Sequence, residues 1–98
     1  MMTFQDVMET HFKTLSQYIP IVTRVHGAHH PEMYEVQQVF ARMEEKLMHT
    51  GTPDLHQEFL TLRKLTNNYT VPNDVCESYE AVYRLLSEAD TAYHQRSR

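Results

Sequence analysis

The hydrophobic residues of this sequence recur every three or four positions in four separate segments. The clearest segment lies between Pro31 and Gly51, and its apolar positions are Met33, Val36, Phe40, Met43 and Leu47. The first segment repeats the spacing at Phe4, Val7, Met8, His11, Leu15, Tyr18 and Val22. Such spacing places side chains on one face of an α-helix, whereas a half-buried strand would alternate every second residue. No segment alternates in this way, so the sequence predicts an all-α protein.

Turn and capping residues separate the four segments. An amphipathic helix needs neighbours that bury its apolar face, and short connections make consecutive helices antiparallel, so we expect an up-down-up-down four-helix bundle. With 98 residues and 41% hydrophobic content, the chain suits a single domain over residues 1–98. The predicted boundaries are Thr3 to Gly27, Pro31 to Gly51, Asp54 to about Asn67, and a fourth helix capped by Asn73 or Asp74.

Composition excludes several classes of partner. The net charge is −4 and the nine Lys and Arg residues are scattered, so no basic stripe is available to neutralise the phosphates of a nucleic acid. No window approaches the roughly 18 unbroken apolar residues of a membrane span. The start of the sequence lacks the pattern of a secretory signal, and the only cysteine, Cys76, has no partner for an internal disulfide. These features favour a cytoplasmic protein.

Four histidines are predicted to gather at one end of the bundle, one from each helix, which is how metal sites in helical bundles are built. The helical phase weakens this interpretation, because His49 lies two residues beyond Leu47, about 200° around the helix from the apolar face. No Glu falls on an inward face one turn from an inward His, as a carboxylate-bridged di-iron site requires. The weak metal-ligand candidates are therefore His11, His49, His56 and His94.

The remaining connections are predicted to meet at the opposite end of the bundle. The segments "HGAHHPE" and "TNNYTVPNDVC" link helices one and two and helices three and four, so they should be neighbours in space. No Ser-His-Asp or Cys-His arrangement, phosphate loop or paired-carboxylate site is recognisable. An ordinary enzyme is therefore not expected.

Two longer motifs carry a family resemblance. The segments "RVHGAHHPE" and "LTNNYTVPNDVCESYEAVY", in this order, resemble the hemerythrin-like domain of the RIC proteins, the iron-sulfur cluster repair di-iron family. The resemblance implies a hemerythrin-like bundle, a di-iron centre and a cytoplasmic role in repairing iron-sulfur clusters damaged by oxidative or nitrosative stress. It also implies a protein partner, either an iron-sulfur protein or the repair machinery.

The same resemblance indicates that the di-iron site is largely lost. Positions that hold His or Glu ligands in the family are occupied here by Thr50, Thr52, Asp54 and Arg96. His49 is one position out of register, and His94 corresponds to a family histidine that is not the usual ligand. Only His11 keeps a ligand position.

The opposite end retains the family motifs, and we interpret it as a functional surface formed by His26, His30, Glu32, Asn67, Asn68, Cys76 and Tyr79. Simpler interpretations stand beside this one. His26 suits a helix C-terminus, and Asn67 and Asn68 tolerate the left-handed backbone that ends a helix. Cys76, in the first turn of helix four, is expected as a small buried residue, with a redox or iron-sulfur contact as the alternative because a helix N-terminus can activate a thiol.

Two alternatives to a repair protein remain open. One is a metal-free helical module that binds or regulates another protein. The other is a metal site completed across a homodimer, because helix one is apolar nearly all round at Ile19, Ile21, Val22 and Val25.

Overall fold

The computed structural model describes residues 3–50 and 53–95, which form four helices and no β-strand. Helix α1 has three consecutive segments: α-helical Phe4–Val7, a π-helical turn at Met8–Phe12 and α-helical Lys13–His26. Helices α2, α3 and α4 span Glu32–His49, His56–Leu65 and Glu77–Gln95. The all-α prediction is confirmed. Within the described residues, no helix combines the length and apolar character that crossing a membrane requires.

Contacts between helix ends show that neighbouring helices run in opposite directions. The ring of Phe4, at the start of α1, lies 5.3 Å from the ring of Tyr93, near the end of α4. The Tyr93 hydroxyl accepts a hydrogen bond from the N–H of Leu55, just before α3, at 2.9 Å. Lys46, near the end of α2, pairs with Glu58, near the start of α3, at 2.9 Å. The up-down-up-down bundle is therefore confirmed.

The predicted start of α1 is confirmed in atomic detail. The Thr3 hydroxyl accepts a hydrogen bond from the N–H of Asp6 at 3.2 Å, and the Asp6 carboxylate accepts one from the N–H of Thr3 at 3.1 Å. These reciprocal bonds form a capping box, which satisfies two of the N–H groups that a helix start leaves without partners.

The π-helical turn changes which residues of α1 face the core. A π turn inserts one extra residue, so the inward positions are spaced by five between Val7 and Phe12 before spacings of three and four resume. Ile19, and not Tyr18, is therefore buried, and Tyr18 is 37% exposed. The expectation that Tyr18 lies on the apolar face is wrong, because sequence periodicity alone gives no sign of the inserted residue. The His11 side chain is only 12% exposed, and it meets Glu88.

Helix α4 begins later than predicted. Its first backbone hydrogen bond runs from the N–H of Glu80 to the carbonyl of Cys76 at 3.1 Å, which makes Cys76 the N-cap residue. Asn73 and Asp74 lie in a separate turn, so the prediction that one of them caps the helix is wrong. Helix α3 begins close to its predicted start, with the Asp54 carboxylate accepting the N–H of His56 at 3.2 Å.

The core takes apolar side chains from all four helices. Burying one Val, Leu, Ile, Phe or Met side chain contributes about 1.5–3 kcal/mol, so these residues supply most of the driving force for folding. The largest fully buried side chains include Leu15, Ile19, Val22, Met33, Met43, Leu55, Phe59, Leu62, Tyr79, Tyr83 and Leu86. The predicted stripe of α2 is confirmed from Met33 to Met43.

Candidate functional site

The four candidate metal-ligand histidines do not converge on one point. His56 Nδ1 and His94 Nε2 lie 2.9 Å apart and are hydrogen-bonded to each other. His11 Nε2 instead meets the Glu88 carboxylate at 2.6 Å, and His49 is exposed on the last turn of α2. Across residues 3–50 and 53–95, no group of three or more His, Cys, Asp or Glu side chains is placed to hold a metal ion.

A buried carboxylate occupies the interior beside the histidine pair. Asp90 is 3% exposed, and the Arg63 guanidinium donates two hydrogen bonds to its carboxylate, at 2.7 Å and 2.6 Å. The Tyr69 hydroxyl donates a third at 2.7 Å, and His94 Nδ1 lies 2.8 Å from the same group. We call Arg63, Tyr69, Asp90, His94 and His56 the Asp90 network.

The Asp90 network is saturated with hydrogen bonds. Burial alone would raise the pKa of Asp90, but the hydrogen bonds from Arg63 and Tyr69 and the charges of Arg63 and His94 outweigh it and lower that pKa. Burial and the bond to Asp90 raise the pKa of Tyr69, so its phenol remains a donor. His94 Nδ1 faces Asp90, and its Nε2 faces His56. His94 thus helps to compensate the buried carboxylate of Asp90, and His56 in turn holds His94.

Two of the positions that the family resemblance assigns to lost ligands lie within the described residues. Thr50 is the exposed residue that ends α2, and Asp54 lies just before α3, where its carboxylate accepts the N–H of His56. Thr52 and Arg96 lie outside the described residues. Sequence reasoning missed Asp90 as a structural centre, although a signal was present: Asp90 lies on the stripe of α4, four residues after Leu86 and three before Tyr93.

At the opposite end, a thiol and an imidazole meet across the bundle. His26 Nε2, from the last turn of α1, lies 3.1 Å from Cys76 Sγ, at the start of α4. Cys76 is exposed, so the prediction that it is buried is wrong, as is the statement that no Cys-His arrangement is present. The cause is the later start of α4, which moves Cys76 from the first turn to the N-cap.

The buried ring of Tyr79 packs behind this pair. Its ring makes edge-to-face contacts with His26 and His30, with centroid distances of 5.2 Å and 5.3 Å. Its hydroxyl donates to Glu32 at 3.3 Å and shares a 3.0 Å hydrogen bond with the Tyr83 hydroxyl. Burial and these polar neighbours raise the pKa of Tyr79, so the phenol stays protonated. The orientation of both histidine rings is therefore set by a buried residue.

Carboxylates flank the second histidine at this end. His30 Nδ1 lies 3.2 Å from Glu32, and its Nε2 lies 3.3 Å from Asp74 in the second connection. The two connections are neighbours, as the topology predicted. We call His26, His30, Glu32, Cys76 and Tyr79 the His26 cluster. All five belong to the surface predicted from the sequence, but the placement of Tyr79 at the surface is wrong, because its side chain is fully buried.

Asn67 and Asn68 do not join the His26 cluster in these contacts. Both have left-handed backbone conformations, with φ of 51° and 58°, and the N–H of Asn68 bonds to the carbonyl of Arg63 at 2.7 Å. Their interpretation as residues that end a helix is confirmed. Asn68 lines an open cavity of about 200 Å³ with Arg63, Tyr69 and Asp90, so it neighbours the Asp90 network.

The apolar face of α1 that was proposed for dimer formation is partly buried and partly exposed. Ile19 and Val22 are buried in the core, whereas Ile21 is 48% exposed and Val25 is 61% exposed. Only part of the predicted pairing face is therefore available on the surface of α1.

Comparison with known proteins gives one distant match over most of the chain. The chain is similar to the iron-sulfur cluster repair protein ScdA of Staphylococcus haemolyticus (strain JCSC1435), with 22% identity over an alignment 125 positions long. The alignment covers 94% of this chain and 56% of the relative, so the chain spans about half the length of that protein. No protein-family model and no solved structure matches the sequence.

Proposed function

We propose that this protein takes part in the repair of iron-sulfur clusters, with the damaged cluster of another protein as its target. The observation that carries the proposal is the similarity to an iron-sulfur cluster repair protein over 94% of the chain. An all-helical bundle and the meeting of the two retained motifs at the His26 cluster support it. Membership of the RIC family, a hemerythrin-like fold and a cytoplasmic role in oxidative or nitrosative stress are parts of this proposal.

The described residues do not fit the di-iron centre that the family resemblance implies. His56 and His94 are bonded to each other, and His11 is bonded to Glu88 at 2.6 Å. A di-iron site in a bundle needs inward histidines together with bridging carboxylates, and the buried carboxylate beside this pair, Asp90, is bound by Arg63. We therefore propose that the protein works through contact with a partner at the His26 cluster.

Recovery of a cluster-dependent enzyme tests the proposed function. Cells that lack their own repair protein are exposed to peroxide or nitric oxide, and the activity of a [4Fe–4S] dehydratase is followed after the stress ends. Expression of this chain should speed recovery, whereas a His26→Ala/His30→Ala double variant should not. The matched control is His29→Ala, an exposed histidine outside the cluster. The proposal would be overturned if dehydratase activity in cells that express this chain recovered no faster than in cells without it.

Iron loading tests the alternative of a metal site shared between two chains. Protein purified under anaerobic conditions with iron supplied is analysed for metal content and for mass in solution. We expect a monomer without stoichiometric iron. A dimer that forms only with iron would support the shared site, and about two irons per monomer would show that one chain holds the centre.

A further inference from the structure

We propose that Cys76 is a site of thiol–disulfide exchange in which His26 accepts the thiol proton, and that its substrates are small neutral or cationic disulfides. The observation behind this is a juxtaposition created by the fold: an exposed thiol lies 3.1 Å from an imidazole nitrogen, 50 positions away in the sequence. A nucleophile within hydrogen-bond reach of a base, which is itself oriented by a third group, is the arrangement that activates side chains for attack. The proposal does not rest on the repair function.

The orientation of the base is set by the core. Tyr79 is fully buried and meets the His26 ring edge to face at 5.2 Å, while the tyrosine hydroxyl is held by Tyr83 at 3.0 Å. Because Tyr79 is held at both its ring and its hydroxyl, it fixes His26 Nε2 toward the sulfur. Nε2 accepts a proton from the thiol when the neutral imidazole carries its own proton on Nδ1.

The reaction balances without any further oxidant or reductant. The Cys76 thiol gives its proton to His26 Nε2, and the sulfur attacks one sulfur of the small disulfide. A new sulfur-sulfur bond forms at Cys76 while the bond within the small disulfide breaks. The leaving thiolate takes the proton from His26, so one protein thiol and one disulfide become one mixed disulfide and one small thiol.

Charges around Cys76 select among disulfides. Glu77 and Glu80, both exposed, follow it on the first turn of α4, and Asp74 precedes it by two residues. These carboxylates carry full negative charges, which repel an anionic reagent, attract a cationic one and outweigh the partial positive charge of the helix N-terminus. We therefore assign neutral and cationic disulfides, and not anionic ones, as the class that reacts.

Because Cys76 is the only cysteine in the chain, the reaction of the whole protein reports on this one thiol. The rate constant for reaction with neutral 4,4′-dithiodipyridine is measured for the folded protein and for a peptide of residues 73–80. We expect the folded protein to react on the order of tenfold faster than the peptide, as positioned proton transfer provides at least that much. Equal rates would overturn the proposal, and this comparison needs no variant.

The role of His26 is tested by substitution and chemical rescue. His26→Ala should slow the reaction on the order of tenfold, and added imidazole should restore part of the rate, because a small base can occupy the space left by the ring. His29→Ala is the matched control and should react like the unaltered protein. An unchanged rate in His26→Ala, or a slow rate that imidazole does not raise, would contradict proton acceptance by His26.

Charge selection is measured with cationic cystamine and anionic 3,3′-dithiodipropionate. The ratio of the two rate constants should exceed the ratio for free cysteine by roughly threefold, and Glu77→Gln/Glu80→Gln should reduce it, since fewer like charges then face the anion. A ratio equal to that of free cysteine would contradict the assignment of neutral and cationic disulfides as substrates.

Discussion

The two ends of this bundle both place histidines beside carboxylates, yet the surroundings give those histidines different roles. In the Asp90 network, the carboxylate is 3% exposed and accepts two hydrogen bonds from Arg63 and one from Tyr69, and His94 lies against it. In the His26 cluster, the imidazole faces an exposed thiol, and the neighbouring carboxylate of Asp74 lies at the surface. A histidine bound to a saturated buried acid supports structure, whereas a histidine beside an exposed nucleophile is available for chemistry.

The two ends of the bundle also differ in the contacts that hold the helices together. Polar side chains of the Asp90 network bridge these helices, with Arg63 from α3 and Asp90 from α4. At the other end, the ring of Tyr79 in α4 packs against His26 at the end of α1 and against His30 in the first connection. We therefore expect substitutions in the Asp90 network to affect stability, and substitutions at the surface of the His26 cluster to affect reactivity.

The largest effect should follow from Asp90→Asn. The change removes the buried charge that binds Arg63 and leaves partly buried donors with a weaker acceptor, so the free energy of unfolding should fall by roughly 2–4 kcal/mol. Urea denaturation followed by circular dichroism measures it. Asp74→Asn is the control, because that carboxylate is 70% exposed and its pair with His30 is screened by water. Equal losses in the two variants would contradict the distinction between the two ends.

A smaller effect should appear at low pH, where Asp90 loses its contribution to stability. The folded pKa of Asp90 lies below its ordinary value of 3.8, so its contribution is complete above that value and is lost as pH falls through the folded pKa. The stability difference between the unaltered protein and Asp90→Asn should therefore stay constant from pH 5 to about pH 4 and then shrink. Urea midpoints measured from pH 5 to pH 2.5 test this. A difference that grows as the pH falls through this range would mean that the pKa of Asp90 is raised in the folded protein.

The smallest effect concerns the Tyr79 hydroxyl. Tyr79→Phe keeps the ring that orients His26 but removes the hydrogen bonds to Tyr83 and Glu32, so we expect a loss of about 1 kcal/mol. The reaction rate of Cys76 should change less than in His26→Ala, because the ring contact remains. Tyr34→Phe, on an exposed side chain, is the control and should leave stability unchanged. A loss above about 3 kcal/mol would show that the His26 cluster is as structural as the Asp90 network.

Features that depend on a few neighbouring residues could be predicted from the sequence, whereas features that depend on the packing of the helices could not. The Thr3 and Asp6 capping box, the stripe of α2 and the left-handed residues Asn67 and Asn68 are short-range features, and the structure confirms them. The start of α4 was predicted too early, because Asn73 and Asp74 resemble capping residues but form a separate turn before the helix. The π-helical turn was missed for a similar reason, since one inserted residue shifts the helical phase without changing composition.

The sequence by itself determined that four helices form and in what order they pack, because these properties depend on spacing within segments and on short connections. It also determined the buried face of α2, but not that of α1, where the π-helical turn shifts the helical phase. Tertiary structure alone decided which polar groups meet. Arg63 and Asp90 are 27 positions apart, and His26 and Cys76 are 50 apart. Contacts between them depend on how far each helix is rotated about its axis and where it begins. A shift of one residue turns a side chain by about 100°, which is enough to separate an exposed, paired thiol from a buried one.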